Sequence, residues 1–474
     1  MPASWPATST PLCSGRFGQR MGCTVGGDGH RNGQRGAWRV APTIQSRAQA
    51  GDRAAQRRSG CSGLVASSAA DLQRLDIKTQ APPRELCTDC GISRTSQPKR
   101  CGQACQFIKP DYPRLEQRVH GRARDAERAD ELHFGPFRRI LRASLAPPRV
   151  GAQWTGITTR IGERLLETGA VDAVLTVVPD VHDPWRPVPV LVTDPSDMAH
   201  CRGMRMGYAP LLALLEPARQ QDIRRLAVIG IPCQVYALRA LEDELGLDKL
   251  YVIGTPCSDN TTTENFHRFL DLIAENPEQV TYLEFRADYH VELRFADDSK
   301  KIIPFLMLPL ADLPADFFPL TCRTCVDYTN ALADLTVGYM GGEGEQWLLI
   351  RNQRGEDLLA LLGDEVRLSA PGSAGRRQSS VKGFLANVER AAGGLPLRRM
   401  PNWARPIVAW LMPRFGPRGM EFARARLEMK ALETIVHLRR AAPKRLKTMV
   451  PEHVWSMVRS YGLQAGPGEK RQHD

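Results

Sequence analysis

The chain has 474 residues, more than one typical domain needs, so two or three packed units are expected. A hydrophobic content of 42% suits a buried core, and twelve cysteines are too dilute for a disulfide-stapled secreted scaffold. No apolar run approaches the ~18 residues that span a bilayer, and the net charge of +12 is uneven, with eleven Lys/Arg against four Asp/Glu in residues 1–80.

Residues 1–80 are rich in Gly, Ser, Ala and Arg and lack apolar periodicity, so they read as a disordered extension. Two origins fit. One is a start placed too far upstream, which is favoured; the other is an Arg- and Ser-rich transit segment leading to a plastid. Without a transit segment, the expected location is bacterial cytoplasm, with or without membrane association. Cys13, Cys23 and Cys61 lie in this stretch and take no role.

Residues 81–150 form the next expected unit. In "LCTDCGISRTSQPKRCGQAC", Cys87, Cys90, Cys101 and Cys105 make the pattern C-x2-C-x10-C-x3-C. Four thiolates so spaced suit zinc or an iron–sulfur cluster, and spacing alone leaves both open. "RDAERADELHFGPFRRILRASL" then reads as a short charged helix.

Residues 151–345 read as an α/β domain. "GAQWTGITTRIGERLLETGAVDAVLTVVPD" predicts a loop, a helix and a buried strand over 171–178. "IRRLAVIG" is a strand running into Pro232–Cys233, "VYALRALEDELGLD" a helix, and "KLYVIG" a strand running into Pro256–Cys257. This alternation predicts a mainly parallel sheet. Ligands bind beyond the carboxyl ends of such strands, so Cys233 and Cys257 are expected to face one crevice. With the C-x-x-C of Cys322 and Cys325 they make a second set of four, gathered from strand ends rather than from one knuckle. That arrangement favours two iron–sulfur clusters feeding a cofactor over two zinc knuckles. Cys201 is expected to be structural or to line the site.

The candidate cofactor loop is "GAQWTGITTRI". Trp154 offers a ring for stacking; Thr155, Gly156, Thr158 and Thr159 offer hydroxyls and N–H groups at a helix N-terminus, where phosphate binds. No GxGxxG or Walker loop is present. "VTYLEFRADYHVELRFADDSKKIIPF" alternates like an antiparallel hairpin. Asp288, Tyr289 and His290 within it are candidate proton donors.

Residues 346–474 are expected to be mostly helical with Pro-rich joints. The basic, partly amphipathic stretch "WARPIVAWLMPRFGPRGMEFARARLEMKALETIVHLRR" is expected to pack on the core or a neighbouring subunit, in preference to a membrane. No basic stripe interleaved with aromatics appears in the core, so a nucleic-acid partner is not expected.

From about residue 85 to about 460 the chain resembles the chlorophyll-pathway branch of the deazaflavin-reducing hydrogenase β-subunit superfamily. The resemblance rests on "GAQWTGITT", "GIPCQV", "LYVIGTPCSDN", "CRTCVDYTNALADLTVGYMG", "RNQRGEDLL" and "GPRGMEFAR". Members of the branch include ferredoxin-dependent divinyl chlorophyllide 8-vinyl-reductase and 7-hydroxymethyl chlorophyll a reductase. It implies one FAD and two 4Fe-4S clusters, with reduced ferredoxin as donor. Cys87, Cys90 and Cys105 then match the first cluster, and Cys233, Cys257, Cys322 and Cys325 the second. The plant-type pattern has a further cysteine where this chain has Ser93, and Cys101 is the substitute. The flavin site carries over to Trp154, Thr155, Gly156 and Thr158, with Asn330. "RTSQPKRCGQACQF" resembles bacterial members, which points to reduction of the 8-vinyl group of a divinyl protochlorophyllide or chlorophyllide; the hydroxymethyl pigment is the alternative.

Overall fold

The computed structural model describes residues 86–128, 130–286, 288–339, 345–391 and 400–470. The readings of residues 1–80, including Cys13, Cys23 and Cys61, lie outside the described residues. After the first cysteine segment come α1 (Tyr112–His120), β1 (Arg139–Leu145), α2 (Ile157–Glu167), β2 (Ala173–Pro179) and β3 (Pro187–Val192). β4 (Arg225–Gly230), α3 (Pro232–Leu241), β5 (Lys249–Gly254) and α4 (Thr263–Ile273) follow. Next are β6 (Val280–Phe285), β7 (His290–Phe295), β8 (Lys300–Pro304), β9 (Leu335–Gly338), β10 (Gln346–Ile350), α5 (Gln353–Ala360) and β11 (Val366–Ser369). The chain closes with α6 (Arg377–Ala391), α7 (Ala404–Phe415), α8 (Met420–Ala441) and α9 (Glu452–Val458).

Eight strands make the main sheet in the order β11-β1-β10-β9-β5-β4-β2-β3. The β2–β4, β4–β5 and β5–β9 pairs are parallel; β2–β3, β9–β10, β10–β1 and β1–β11 are antiparallel. The expected mainly parallel sheet is therefore corrected to a parallel centre with antiparallel flanks. β3 and β10 follow their partners after connections too short for a crossover helix, so each must turn back. A second correction concerns "RRILRASL", which forms β1 and not a helix. Its residues are captured between β10 and β11, with Arg139 opposite Ile350 and Ala143 opposite Leu368. Only Glu131–Phe134 makes a helical turn, which ends at Gly135 with φ 73°. The boundaries expected at 150/151 and 345/346 cut through this sheet, because β1 lies before the first and β10 and β11 after the second. The described residues all fall within one unit.

The strand pattern explains the layering. In β4, Leu226 and Val228 face one core and Ala227 and Ile229 the other; in β5, Leu250 and Val252 oppose Tyr251 and Ile253. The first face is covered by α3 and by the cysteine segment through Ile92, Ala104, Tyr112 and Leu115. The second is covered by α2, whose Ile157, Ile161 and Leu165 recur every fourth residue. Each such fully buried aliphatic side chain contributes about 1.5–3 kcal/mol. The expected hairpin is found, extended to a three-stranded antiparallel sheet β6-β7-β8. It has its own core with Phe266, Phe269, Leu283, Leu293 and Phe317. α8 and α9 pack on the main body through Leu427, Ile435, Val454 and Trp455.

One charged knot lies inside this apolar frame. Asp334, at the entry to β9, and Arg239 on α3 are each 0% exposed and 2.8 Å apart. Asp334 also accepts bonds from Val252 N (2.7 Å), Asn352 Nδ2 (2.7 Å) and Arg354 Nε (2.8 Å). Among the described residues no helix is long and apolar enough to cross a membrane.

Candidate functional site

Strand direction fixes what can meet. β4 ends at Gly230 and β5 at Gly254, so Cys233 and Cys257 lie past the carboxyl ends of adjacent parallel strands. β9 runs parallel to them and ends at Gly338, placing Tyr339 at the same edge. β10 runs back from that edge, so it starts there with Gln346. α2 precedes β2 and returns to its start, so the α2 N-terminus, Gly156 and Trp154 also sit there.

Cys233, Cys257, Cys322 and Cys325 line one small cavity, shared with Thr88, Phe107 and Asp259. Cys233 falls in the first turn of α3, which opens with Pro232 at a position whose N–H needs no partner. The Gln234 side chain accepts the Ile231 N–H at 3.1 Å and donates to the Ala209 carbonyl at 2.9 Å, fixing this turn. Cys87, Cys101 and Cys105 are all close enough to Cys90 to act on its charge. Cys90 and Cys101 pack against the same core, while Ser93 is exposed. None of the nine described cysteines is in a disulfide.

Burial, with neighbouring thiols adding to it, pushes Cys90 up to about 12 and Cys105 up to about 11; burial, with Asp259 beside Cys322 and Asp327 beside Cys325 adding to it, pushes these two up to about 12 and about 11. Burial likewise raises Cys233 and Cys257 well above the ordinary thiol value. Against this, donors point at the sulfurs. The Ile92 N–H bonds Cys90, the Phe107 and Ile108 N–H groups bond Cys105, and the Thr88 hydroxyl bonds Cys233. The Asn260 and Asp327 N–H groups bond Cys322 and Cys325, and Gln106 Nε2 reaches Cys325 Sγ at 3.5 Å. Desolvated thiols ringed by donors suit sulfurs that carry charge only when a metal centre replaces their protons, which leave to solvent.

Among the described residues no three His, Cys, Asp or Glu side chains converge to hold a single metal ion. The second group of thiols surrounds a cavity instead. Four thiols around one cavity are a donor set that suits an iron–sulfur cluster or zinc.

The aromatic loop is held from two sides. Trp154, with φ 51°, stacks on Tyr339 at 5.9 Å between centroids and 13° between planes. Its indole Nε1 donates to Glu284 Oε1 on β6 at 2.5 Å. Gly156 has φ 87°, and a Cβ there would come within 2.8 Å of Arg149 Cβ, so glycine is required. Gln346 takes up two groups expected to face a phosphate. Its Oε1 accepts from the Thr155 hydroxyl (3.2 Å) and from the Ile157 N–H (2.9 Å). Thr155 is thus buried structure, whereas Thr158 stays half-exposed at the helix start. Asn330, fully buried with φ 60°, donates to the Gly230 carbonyl at 2.8 Å. Asn330 Oδ1 and Tyr339 Oη have no hydrogen-bond partner among the described residues. These are the polar atoms that a bound cofactor would satisfy.

The residues of the β6–β7 turn come to the same neighbourhood. Tyr289 packs edge-on against Phe422 at 5.8 Å, and Phe422 against Tyr339 at 5.7 Å. The Tyr289 hydroxyl donates to the Pro417 carbonyl, and burial raises its pKa above the ordinary tyrosine value. Asp288 is paired with Arg286 at 2.9 Å, and His290 Nδ1 lies 3.2 Å from the Asp288 carboxylate.

Sequence reading missed Thr88, Gln106, Glu284, Tyr339, Gln346 and Phe422. Thr88 and Gln106 each follow a cysteine of the first group, Tyr339 and Phe422 lie in stretches that carry the resemblance, and Glu284 lies in the expected hairpin, which were the available signals; Gln346 had none. It also missed Lys430, buried on α8, whose Nζ bonds the cavity residue Asp259 at 2.7 Å.

Residues 140–216 and 223–371 match the N-terminal and C-terminal parts of the family described as coenzyme F420 hydrogenase/dehydrogenase, beta subunit. An uncharacterized protein of Nostoc is 35% identical over 390 residues, covering 82% of this chain and 96% of that one. The chloroplastic 7-hydroxymethyl chlorophyll a reductase of Oryza sativa is 36% identical over 394 residues, covering 80% of this chain and 83% of the rice protein. Among solved structures, a chain of the F420-reducing NiFe hydrogenase complex from Methanosarcina barkeri superposes with a TM-score of 0.46 at 20% identity, covering 50% of this chain and 84% of that one. The extent of the match to the rice reductase and the two matched family regions show that the chain belongs to the coenzyme F420 hydrogenase/dehydrogenase β-subunit family, alongside 7-hydroxymethyl chlorophyll a reductase.

Proposed function

We propose that this protein is an oxidoreductase that takes electrons from reduced ferredoxin and reduces the 8-vinyl group of a divinyl protochlorophyllide or chlorophyllide to ethyl. The observation that carries this is a double set of four cysteines beside an aromatic loop at the carboxyl edge of the sheet. It occurs in a chain similar over most of its length to a chlorophyll reductase. Saturating the vinyl double bond needs two electrons and two protons. Two 4Fe-4S clusters and FAD, when bound, would pass single electrons inward and deliver them as a pair.

The chain's own parts divide the work. Cys87, Cys90, Cys101 and Cys105 would hold one cluster, and Cys233, Cys257, Cys322 and Cys325 the other. Trp154, Gly156, Thr158 and Asn330 would seat the flavin, with Tyr339 closing the aromatic wall. Tyr289 Oη holds a proton in a buried, aromatic-lined position and is the preferred donor to the reduced carbon, ahead of His290 and Asp288. Tyr289→Phe is expected to lower turnover by about 10²–10⁴-fold, with substrate affinity little changed. Steady-state kinetics of that variant beside His290→Ala and Asp288→Asn decide the matter. Unchanged turnover in all three removes the hairpin from the proton path.

A second reading has its own support, since the rice relative is named for the 7-hydroxymethyl pigment. The Nostoc protein has no assigned substrate, so its similarity favours neither pigment. The test is a pigment assay on protein purified without oxygen and reduced by ferredoxin. Divinyl pigment is expected to become monovinyl pigment, resolved by chromatography. Turnover of the hydroxymethyl pigment alone would transfer the assignment to the second reading.

A further inference from the structure

We infer that α7 and the residue leading into it form a docking face for an anionic lipid surface. No residue of α7 is buried. Trp403, Ile407, Trp410 and Phe415 are 74, 52, 59 and 54% exposed. Trp403, Ile407 and Trp410 are four and three residues apart, so they lie along one stripe of the helix. Arg414, four residues further, continues the stripe and stacks over the Trp410 ring at 4.4 Å.

The stripe is not what fastens the helix. Arg405 does that, donating to the carbonyls of Leu306 (2.8 Å) and Leu308. The apolar surface continues below this anchor through exposed Met307 and Ile302. A patch of large apolar side chains held outward on a polar anchor marks an interaction face.

Charge selects the occupant. Residues 400–420 contain Arg405, Arg414 and Arg418 and no Asp or Glu, and exposed Lys300 and Lys301 adjoin Ile302. A twofold contact with a second copy would set this basic face against itself. Phospholipid headgroups of negative charge complement it, and tryptophan rings seat at the headgroup level. An interfacial helix of this kind lies in the membrane plane without crossing it. Its far end adjoins the site, because Tyr289 bonds the Pro417 carbonyl just past α7. Docking would thus bring the aromatic pocket to where an apolar pigment is stored. That last point rests on the proposed function; the docking face does not.

The experiment is vesicle flotation of the full-length protein, purified with its cofactors. One set of vesicles is phosphatidylcholine, the other an equimolar mixture with phosphatidylglycerol. The protein is expected to float with the mixed vesicles, and Trp403→Ser/Trp410→Ser to lower its partitioning about tenfold. Melting temperature and iron content of that double variant should match the parent. Equal flotation of parent and variant would assign any binding to other basic segments and overturn the proposal. Absence of binding by the parent overturns it as well. So does a parent oligomer that the double variant dissociates, since the face then belongs to a second copy. A failed pigment assay would leave a positive flotation result intact.

Discussion

In Cys101→Ser, iron per chain is expected to fall by roughly half, while Ser93→Ala loses none. The reason is position. Cys101 packs on the core beside Cys90 and lies within reach of the charges on both Cys90 and Cys105. Ser93 is exposed on the short turn Ile92–Arg94. Losing a ligand should cost more than the 10–100-fold typical of an outer hydrogen-bond partner, so ferredoxin-linked turnover is expected to drop at least ~100-fold. Iron and sulfide analysis of anaerobic preparations, with electron paramagnetic resonance of the reduced protein, provides the check. Full iron in Cys101→Ser together with a loss in Ser93→Ala would reverse the assignment of the fourth ligand. Because Cys101 also fills the core, a matched melting curve must accompany each variant.

Asp334→Ala is expected to destabilise the fold by about 3–5 kcal/mol, because it removes the fully buried partner of the Arg239 guanidinium, leaving only Glu242, and strips the Val252 N–H of its acceptor. Asp334 ties β5 to β9 through Val252 and ties α3 and α5 to both, so the loss is felt across the centre of the sheet. The same carboxylate sets an acid limit. Burial alone would raise its pKa, but Arg239 and Arg354 overcome burial and hold it below the ordinary value. A group depressed in the folded state stabilises above its unfolded pKa of ~3.9 and stops doing so as pH falls through the folded value. The gap between parent and Asp334→Ala should therefore stay constant from neutral pH to about pH 4 and close only below that. Urea unfolding at several pH values measures it. A gap that shrinks already near neutrality would show that Asp334 is not held ionised by these arginines.

The parallel centre of the sheet and the second cysteine group were legible because they are written locally. β4 and β5 are short apolar runs that each end in Gly and then Pro-Cys, and strand polarity does the rest. β1 was not legible. "RRILRASL" has no strong alternation, and its conformation is set by β10 and β11, some two hundred residues away. The structure of the aromatic loop was half legible. Trp154 and Gly156 carry local signals, an aromatic ring and a glycine at a left-handed turn. The diversion of the Thr155 hydroxyl to Gln346 was invisible, because nothing in "GAQWTGITT" reveals a glutamine at the start of a distant strand. α7 reads as an ordinary amphipathic helix in sequence, and periodicity does not say whether its apolar stripe faces inward or outward.

Thr88 and Gln106, which bond Cys233 and Cys325, also impose a schedule on synthesis. The first cysteine segment leaves the ribosome early, yet Gln106 waits for a partner 219 residues further along the chain. At about 5–20 residues per second that wait is roughly 10–40 s. Cys87, Cys90, Cys101 and Cys105 stay uncovered at least until β4, α3 and β5 emerge, and a nascent chain in air meets oxidant before it meets its own core. Among the described cysteines these four are the ones the growing chain leaves in water longest, so the yield of intact protein should be decided during translation, by the oxygen present then.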